Sequence, residues 1–470
     1  MAFEIVLPPE LLDFIFGYLQ TNKASLAVCT QVSHRWHDVA LPVLFRDHIF
    51  RPYRREGVVR YDDDLWNNGL DTFRGAIDHL PPPHLLRLVK HLEVDCIPPL
   101  TYKRDSGFMT AFHLDLIFPK FPALRSFTLR NAYLKVCRDV IDACGSPRNL
   151  DSLSLCNVEF DLDYEWDCQP TALKEINSPS SIYCQNCFAE LLGMFAAIGT
   201  LSVIETWPPS MFPIICGWYH EDGITAQSIM QGQAARMRSN PAISKFITKG
   251  GFPNYSTVES SEVVLHLLSY SGALSNLKRL EIDEHLTNIQ TVLLGAHSEL
   301  ESLRMVLSDC EPLLSSESSD GSTFADDRHP HDPSQSGIMW CSKLSSFHLV
   351  FFPLGSLMKA KGHSLADEAD SYSLQKFLDI ITYSPPSITT LLLEIQTGAK
   401  WTFQHLDFVV FDRLLSERSS LQKLEIIFAP RSSSLNVSVD DLEKVQAQLP
   451  LSKSTFGDRM AITRRLAELD

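Results

Sequence analysis

No apolar run in this chain of 470 residues approaches the roughly 18 residues that a bilayer-crossing helix needs. The stretch VVLHLLSYSGAL from Val263 is shorter and carries His266 and Ser269. A secretory leader is equally missing from residues 1–20, because Glu4, Glu10 and Asp13 interrupt what would have to be an unbroken apolar centre behind a basic start. An excess of positive charge is lacking too. Lys and Arg number 41 against 57 Asp and Glu, a net charge of −16, so no global field favours phosphate backbones or anionic lipid. The expectation is a cytoplasmic or nuclear protein that engages neither nucleic acid nor membrane.

Catalytic and cofactor signatures are also missing. Neither GxxxxGK[ST] nor GxGxxG occurs, so no glycine loop is set to cradle phosphate, and HExxH and GxSxG are absent. The eleven cysteines are odd in number and scattered, which fits reduced thiols better than a disulfide framework. Cys184 and Cys187 form CQNC, half of a zinc site; no second pair follows at the usual distance, and the nearest downstream histidine is His220. Asp326, Asp327, His329, His331 and Asp332 are ligand-type residues within DDRHPHD, but they sit in a very polar loop where nothing would preorganise them. The reading is no metal, no cofactor and no enzyme; an enzyme with a site in the 206–241 insertion, which would show turnover without partners, is a third hypothesis beside it.

What the chain does have is an unusually apolar start. In LPPELLDFIFGYLQ, Pro8 suits the first turn of a helix, and Leu11, Leu12, Ile15, Phe16 and Leu19 recur on one helical face. Phe14 and Tyr18 lie off that stripe, so the helix is either buried in its own domain or partly reserved for another protein. Ser25 can cap a second helix, SLAVCTQV, and Ser33 a third, SHRWHDVAL, which should stop near Leu41 because Pro42 follows. About 45 residues in three helices bury little surface, so the unit is expected to lean on a neighbour.

Leu7 to Arg46, LPPELLDFIFGYLQTNKASLAVCTQVSHRWHDVALPVLFR, resembles the F-box family. The resemblance rests on the opening Leu-Pro-x-Glu-Leu-Leu, the Ile-Phe-x-Tyr-Leu that ends the first helix, the Leu and Cys of the second, and Val-Ser-x-x-Trp in the third. Gln20-Thr21 departs from the Asp-Pro often found in the family. The resemblance implies a module that binds a Skp-type adaptor and so joins a cullin-RING ubiquitin ligase. Leu7, Pro8, Leu11, Leu12, Ile15, Phe16, Val32, Trp36 and Leu44 are the candidate adaptor-binding residues, although some must hold the helices together.

From Val89 a different grammar begins: an apolar residue, two others, an apolar residue, one other, an apolar residue. It recurs at Val89-Leu92-Val94, Leu124-Phe127-Leu129, Leu150-Leu153-Leu155, Ile198-Leu201-Val203, Leu277-Leu280-Ile282, Leu300-Leu303-Met305, Leu344-Phe347-Leu349, Ile388-Leu391-Leu393 and Leu421-Leu424-Ile426, with a degenerate copy from Leu173. The closing alternation signals a strand, and intervals such as SSEVVLHLLSYSGAL read as helix. Strand then helix, repeated, is the leucine-rich-repeat pattern. Neighbouring copies lie 23 to 26 residues apart in places and 44 in two later intervals, so the array is irregular.

The predicted fold class is α/β: an N-terminal three-helix F-box followed by an irregular leucine-rich-repeat solenoid with a curved parallel sheet. Its parts are an F-box over 1–48, a connector over 49–84, repeats over 85–430 with insertions near 205–260 and 315–340, and a helical tail over 431–470. The gap before Leu277 either hides a divergent repeat or forms an excursion. The repeat leucines read as core; variable residues between them, such as Arg125, Ser126, Thr128, Asp151, Ser152, Ser154, Lys278, Arg279, Glu281, Ser302 and Arg304, are the weaker candidates for contact. The expected function is the substrate-recognition subunit of an SCF-type ligase, with an unidentified protein substrate held by the repeats. A protein-interaction scaffold with an F-box-like cap not engaged in ubiquitination is the alternative.

Overall fold

The computed structural model describes residues 7–51, 75–96, 107–110, 116–135, 147–160, 187–204, 239–249, 267–282, 289–307, 337–351, 377–397, 407–430 and 438–465, with a few single positions between them. It divides into two compact units, Met1–Pro241 and Ala242–Asp470.

Helix α1 (Pro9–Tyr18) has Pro8 as its N-cap and Pro9 in its first turn, where a missing amide costs nothing. Helix α2 (Lys23–Cys29) is capped by Asn22, whose side-chain oxygen accepts from the Ser25 amide at 3.0 Å. Ser25, the cap suggested by sequence, is instead inside the first turn. Ser33 does cap α3 (His34–Phe45), accepting from the Trp36 amide at 3.3 Å. That helix runs through Pro42 rather than stopping at Leu41. Proline there gives up one backbone hydrogen bond, but Val43 and Leu44 beyond it pack on the module's core and offset the loss. The core consists of Leu12, Phe16, Leu26 and Ala40, with Phe16 and Trp36 edge to face at 5.4 Å.

Arg46 alone separates α3 from strand β1 (Asp47–Phe50), which pairs in parallel with β2 (His91–Asp95). Strand β1 therefore straddles the boundary expected at 48/49 between F-box and connector. Strands β4 (Ser126–Lys135), β5 (Arg148–Phe160) and β6 (Phe195–Ile204) continue the parallel sheet, and β3 (Gly107–Thr110) adds to β4. The repeat grammar is visible as register: Leu92, Phe127, Leu153 and Leu201 are cross-strand partners, as are Val94, Leu129, Leu155 and Val203. All eight are buried. A fully buried large apolar side chain contributes about 1.5–3 kcal/mol, so these rows dominate the unit's stability.

The second unit repeats the arrangement in β7 (Ala242–Lys249), β8 (Arg279–Ile282), β9 (Ser302–Leu307), β10 (Ser346–Phe351), β11 (Thr390–Thr397), β12 (Lys423–Pro430) and β13 (Met460–Arg464), each parallel to the next. Leu303, Phe347, Leu391 and Leu424 form one row, and Met305, Leu349, Leu393 and Ile426 another. Strand β7 places one divergent repeat within the gap before Leu277: Ile243, Phe246 and Thr248 are buried, with Thr248 at the third apolar position. Strand β13 lies in the expected helical tail. Helices α7 (Val439–Ala447) and α8 (Pro450–Phe456) are present there, and the chain then returns to pair Ile462 with Ile426.

One device joins successive repeats. At six of the strand junctions a single carbonyl before or at the start of one strand accepts from two consecutive amides of the next: Lys90 from Arg125 and Ser126, Arg125 from Asp151 and Ser152, Lys278 from Glu301 and Ser302, Glu301 from Ser345 and Ser346, Ser345 from Thr389 and Thr390, Thr389 from Gln422 and Lys423. The same pattern begins at Arg46, whose carbonyl accepts from Lys90 and His91 at 2.9 and 3.0 Å. Backbone donors that would be orphaned at these bends are thus satisfied, and the helical module is bonded into the ladder without a spacer.

The helical side supplies α4 (Cys187–Gly193), α5 (Ile289–Ala296) and α6 (Phe408–Ser416), with Phe188, Leu191, Leu192, Val292, Leu293, Phe411 and Leu415 buried. SSEVVLHLLSYSGAL is helical at 264–265 and 267–270, with Val264, Leu265, Leu267 and Leu268 buried. Asp412 of α6 is buried and caps α8, its carboxylate oxygens accepting from Leu451 and Ser452 amides at 2.8 and 2.7 Å.

Candidate functional site

Two surfaces stand out, one on the helical module and one on the polar faces of the strands. On α1 the core takes Leu12 and Phe16, which leaves Leu11, Ile15, Phe14 and Tyr18 exposed, the last two at 63% and 74%. Phe14 and Tyr18 stack edge to face at 5.0 Å. Val28 and Val32 add further exposed apolar surface at the end of α2 and just beyond it. Ten residues of helix cannot bury apolar groups on every side within so thin a module, and the surplus is presented outward.

Of the nine adaptor-binding candidates, Pro8, Leu11, Ile15 and Val32 are exposed. Leu12 and Phe16 lie inside the module's core, and Leu7, Trp36 and Leu44 are partly buried against it. Phe14 and Tyr18 stand outside the nine, and their position off the α1 stripe is the sequence signal that marks them. Gln20, where the chain departs from the family pattern, accepts a hydrogen bond from the Arg46 guanidinium, and Lys23 Nζ donates to the Leu44 carbonyl at 2.8 Å. Burial pushes the Lys23 ammonium down, against the pull of Asp47. These contacts tie the start of α2 to the end of α3, next to where the chain enters β1.

On the strands, residues alternate with the core rows. In the first unit the polar face carries hydroxyls in register: Ser126, Ser152 and Thr200 in one row, Thr128, Ser154 and Ser202 in the next. Ser126 and Ser152 hydroxyls are 2.7 Å apart. Beside them Arg130 pairs with Glu93 at 3.0 Å. Asn131 and Asn157, both at φ near +53°, extend the block: Asn131 donates to Asp95 at 2.9 Å and Asn157 to Asn131 at 2.8 Å. Asparagine tolerates that left-handed backbone better than most residues.

The second unit's polar face is charged. Glu394 on β11 is buried, receives hydrogen bonds from His348 Nε2 and Arg465 Nη1 at 3.1 Å each, and feels the charge of Arg304. Burial pushes its carboxyl up, but the His348 hydrogen bond and the surrounding positive charges outweigh that and hold it below the usual range. Arg304 is in turn drawn down by burial, against Glu394 and Glu281. Lys245 and Glu281 pair at 2.6 Å, Lys423 and Glu425 at 2.9 Å.

Among the weaker contact candidates, Ser126, Thr128, Ser152, Ser154, Arg279, Glu281, Ser302 and Arg304 stand on strands at non-core positions. Arg125, Asp151 and Lys278 are exposed at the strand starts, with Arg125 and Asp151 paired at 3.7 Å. Cys184, the degenerate copy from Leu173 and the DDRHPHD cluster lie outside the described residues, as do most of 206–241 and 315–336. Among the described residues no group of three or more His, Cys, Asp or Glu is placed to hold a metal, and no helix is long and apolar enough to cross a membrane.

Comparison with known proteins bears on the helical module. No curated protein matches the chain. Among solved structures, an internalin from Listeria monocytogenes is similar at 10% identity over 87% of this chain and 96% of its own, with a TM-score of 0.24. A score that low leaves the fold assignment to the strand register itself. Residues 5–51 match the F-box-like family, the same helices that present the apolar surface. The chain thus carries an F-box-like domain followed by a parallel-strand array of leucine-rich-repeat type.

Proposed function

We propose that this protein is the substrate-recognition subunit of an SCF-type, cullin-RING ubiquitin ligase, working inside the cell in cytoplasm or nucleus. The observation that carries the reading is the exposed apolar surface of Leu11, Phe14, Ile15, Tyr18, Val28 and Val32 on a domain of F-box-like sequence. A Skp-type adaptor is the partner that such a domain engages, and the repeats would hold a protein substrate. No chemistry is asked of this chain. It raises the effective concentration of a substrate lysine near the ubiquitin carried by a partner.

The nine adaptor candidates divide into roles on this reading. Leu12 and Phe16 keep the three helices together; Pro8, Leu11, Ile15 and Val32, with Phe14 and Tyr18 added, meet the adaptor. The direct test is retention of purified adaptor by the full chain and by a Phe14→Ser/Tyr18→Ser variant, with circular dichroism as the folding check. Wild type should retain adaptor, and the variant should lose at least about 1.5–3 kcal/mol of binding, roughly tenfold or more, with its spectrum unchanged. A folded wild type that retains no adaptor would sink the proposal. Retention of adaptor without any cullin in the purified complex would favour a scaffold outside ubiquitination.

A further inference from the structure

One row of the second unit's polar face contains no acid. Reading across β7 to β12 in register, it runs Lys245, Arg279, Ser302, Ser346, Thr390, Lys423. Three cations and three hydroxyls in line are unusual in a chain of net charge −16. Lys245 and Arg279 are direct cross-strand partners, a like-charge arrangement that costs stability unless something else compensates. Lys245 and Lys423 each find a glutamate, but in the neighbouring row, at Glu281 and Glu425. Arg279 is exposed and has no ion pair among the described residues.

We infer that this row docks an extended, carboxylate-bearing segment of a partner protein, an inference that rests on the reading of the repeats as a substrate receptor. Carboxylates would meet Lys245 and Arg279 at one end and Lys423 at the other, with the Ser302, Ser346 and Thr390 hydroxyls donating between them. Five strand spacings of about 4.8 Å make the row roughly 24 Å long, which an extended chain at about 3.3 Å per residue covers in about seven residues. The matching segment therefore carries acids at both ends of a seven- to nine-residue stretch and little charge in the middle. Charge complementarity of this kind sets partner choice and association rate more than raw affinity.

The probe is a fluorescein-labelled nonapeptide with Asp-Glu at one end, Glu-Asp at the other and Ser and Gly between, titrated with the full chain by fluorescence anisotropy. Wild type should bind it, a counterpart with lysines in place of the acids should not bind, and raising salt from about 50 to about 200 mM should weaken the complex, as screening requires. Arg279→Glu should weaken binding tenfold or more. Lys423→Ala, at an exposed position at the far end of the row, should weaken it severalfold, and it serves as the test if the first variant is unstable. No binding by wild type, or equal binding by both variants, overturns the inference. So does preference for a phosphoserine version over the carboxylate peptide, or for a single-stranded oligonucleotide. Adaptor retention measured on the same preparation keeps the two readings apart: adaptor bound with peptide unbound removes the docking row alone, and the reverse removes the ligase role alone.

Discussion

Gly199 shows how closely the repeats approach at single positions. It sits on β6 opposite Asp151 of β5, and a Cβ built there would lie 2.5 Å from the Asp151 carbonyl oxygen. That atom is backbone inside a parallel ladder, so it cannot swing away as a flexible side chain would. Gly199→Ala should therefore cost about 1–3 kcal/mol, in the range of overpacking substitutions, and lower the melting temperature by several degrees. Thermal unfolding followed by circular dichroism checks this. A variant as stable as wild type would show that β5 and β6 can part there without cost.

At the scale of elements, the caps give a sharper discrimination. Asn22 accepts from the Ser25 amide, whereas Ser25 sits inside the first turn of α2. Asn22→Ala should destabilise the helical module by about 0.5–2 kcal/mol and Ser25→Ala by much less, which chemical denaturation of the full chain would resolve; the opposite order would restore Ser25 as the cap. The misplacement has a physical cause. Asn and Ser are both strong caps three residues apart, and sequence alone does not say which one leaves helical backbone angles. Pro42 misleads for a related reason, because its local preference to end a helix is overridden by the packing of Val43 and Leu44. The nine strands predicted from apolar grammar all form, since a period of two with buried rows is a strong local signal. Strand β7 is harder to read because Thr248 replaces the third apolar residue, and β13 because Gly457 stands where Leu421 stands in the preceding repeat. The exposed side of α1 is half legible in the sequence: periodicity separates the stripe from Phe14 and Tyr18, but only packing shows that the stripe's Leu12 and Phe16 turn inward while Leu11 and Ile15 stay out.

At the scale of the whole molecule, a local array spreads its stability over many neighbouring interfaces, so a single tie that reaches from β10 to the end of β13, across four strands, has unusual reach. Arg465, just after β13, reaches over β12 to Glu394 on β11, which also holds His348 on β10. The Glu394 carboxyl is held below its usual range in the folded protein. A depressed carboxylate contributes stability that is present above its unfolded value, near 4.5, and lost as pH falls through the lower folded value. Stability of the full chain should thus be insensitive to this group at neutral pH and fall in the acid window below pH about 4.5. Glu394→Gln should cost on the order of 1–3 kcal/mol at neutral pH, because it removes a charge-assisted acceptor from two donors, and should flatten the acid slope relative to wild type. Urea midpoints measured from neutral pH down into that window supply both readings. Parallel slopes in wild type and variant would show that the tie holds Arg465 and His348 by geometry alone, and that acid sensitivity lies with other carboxylates.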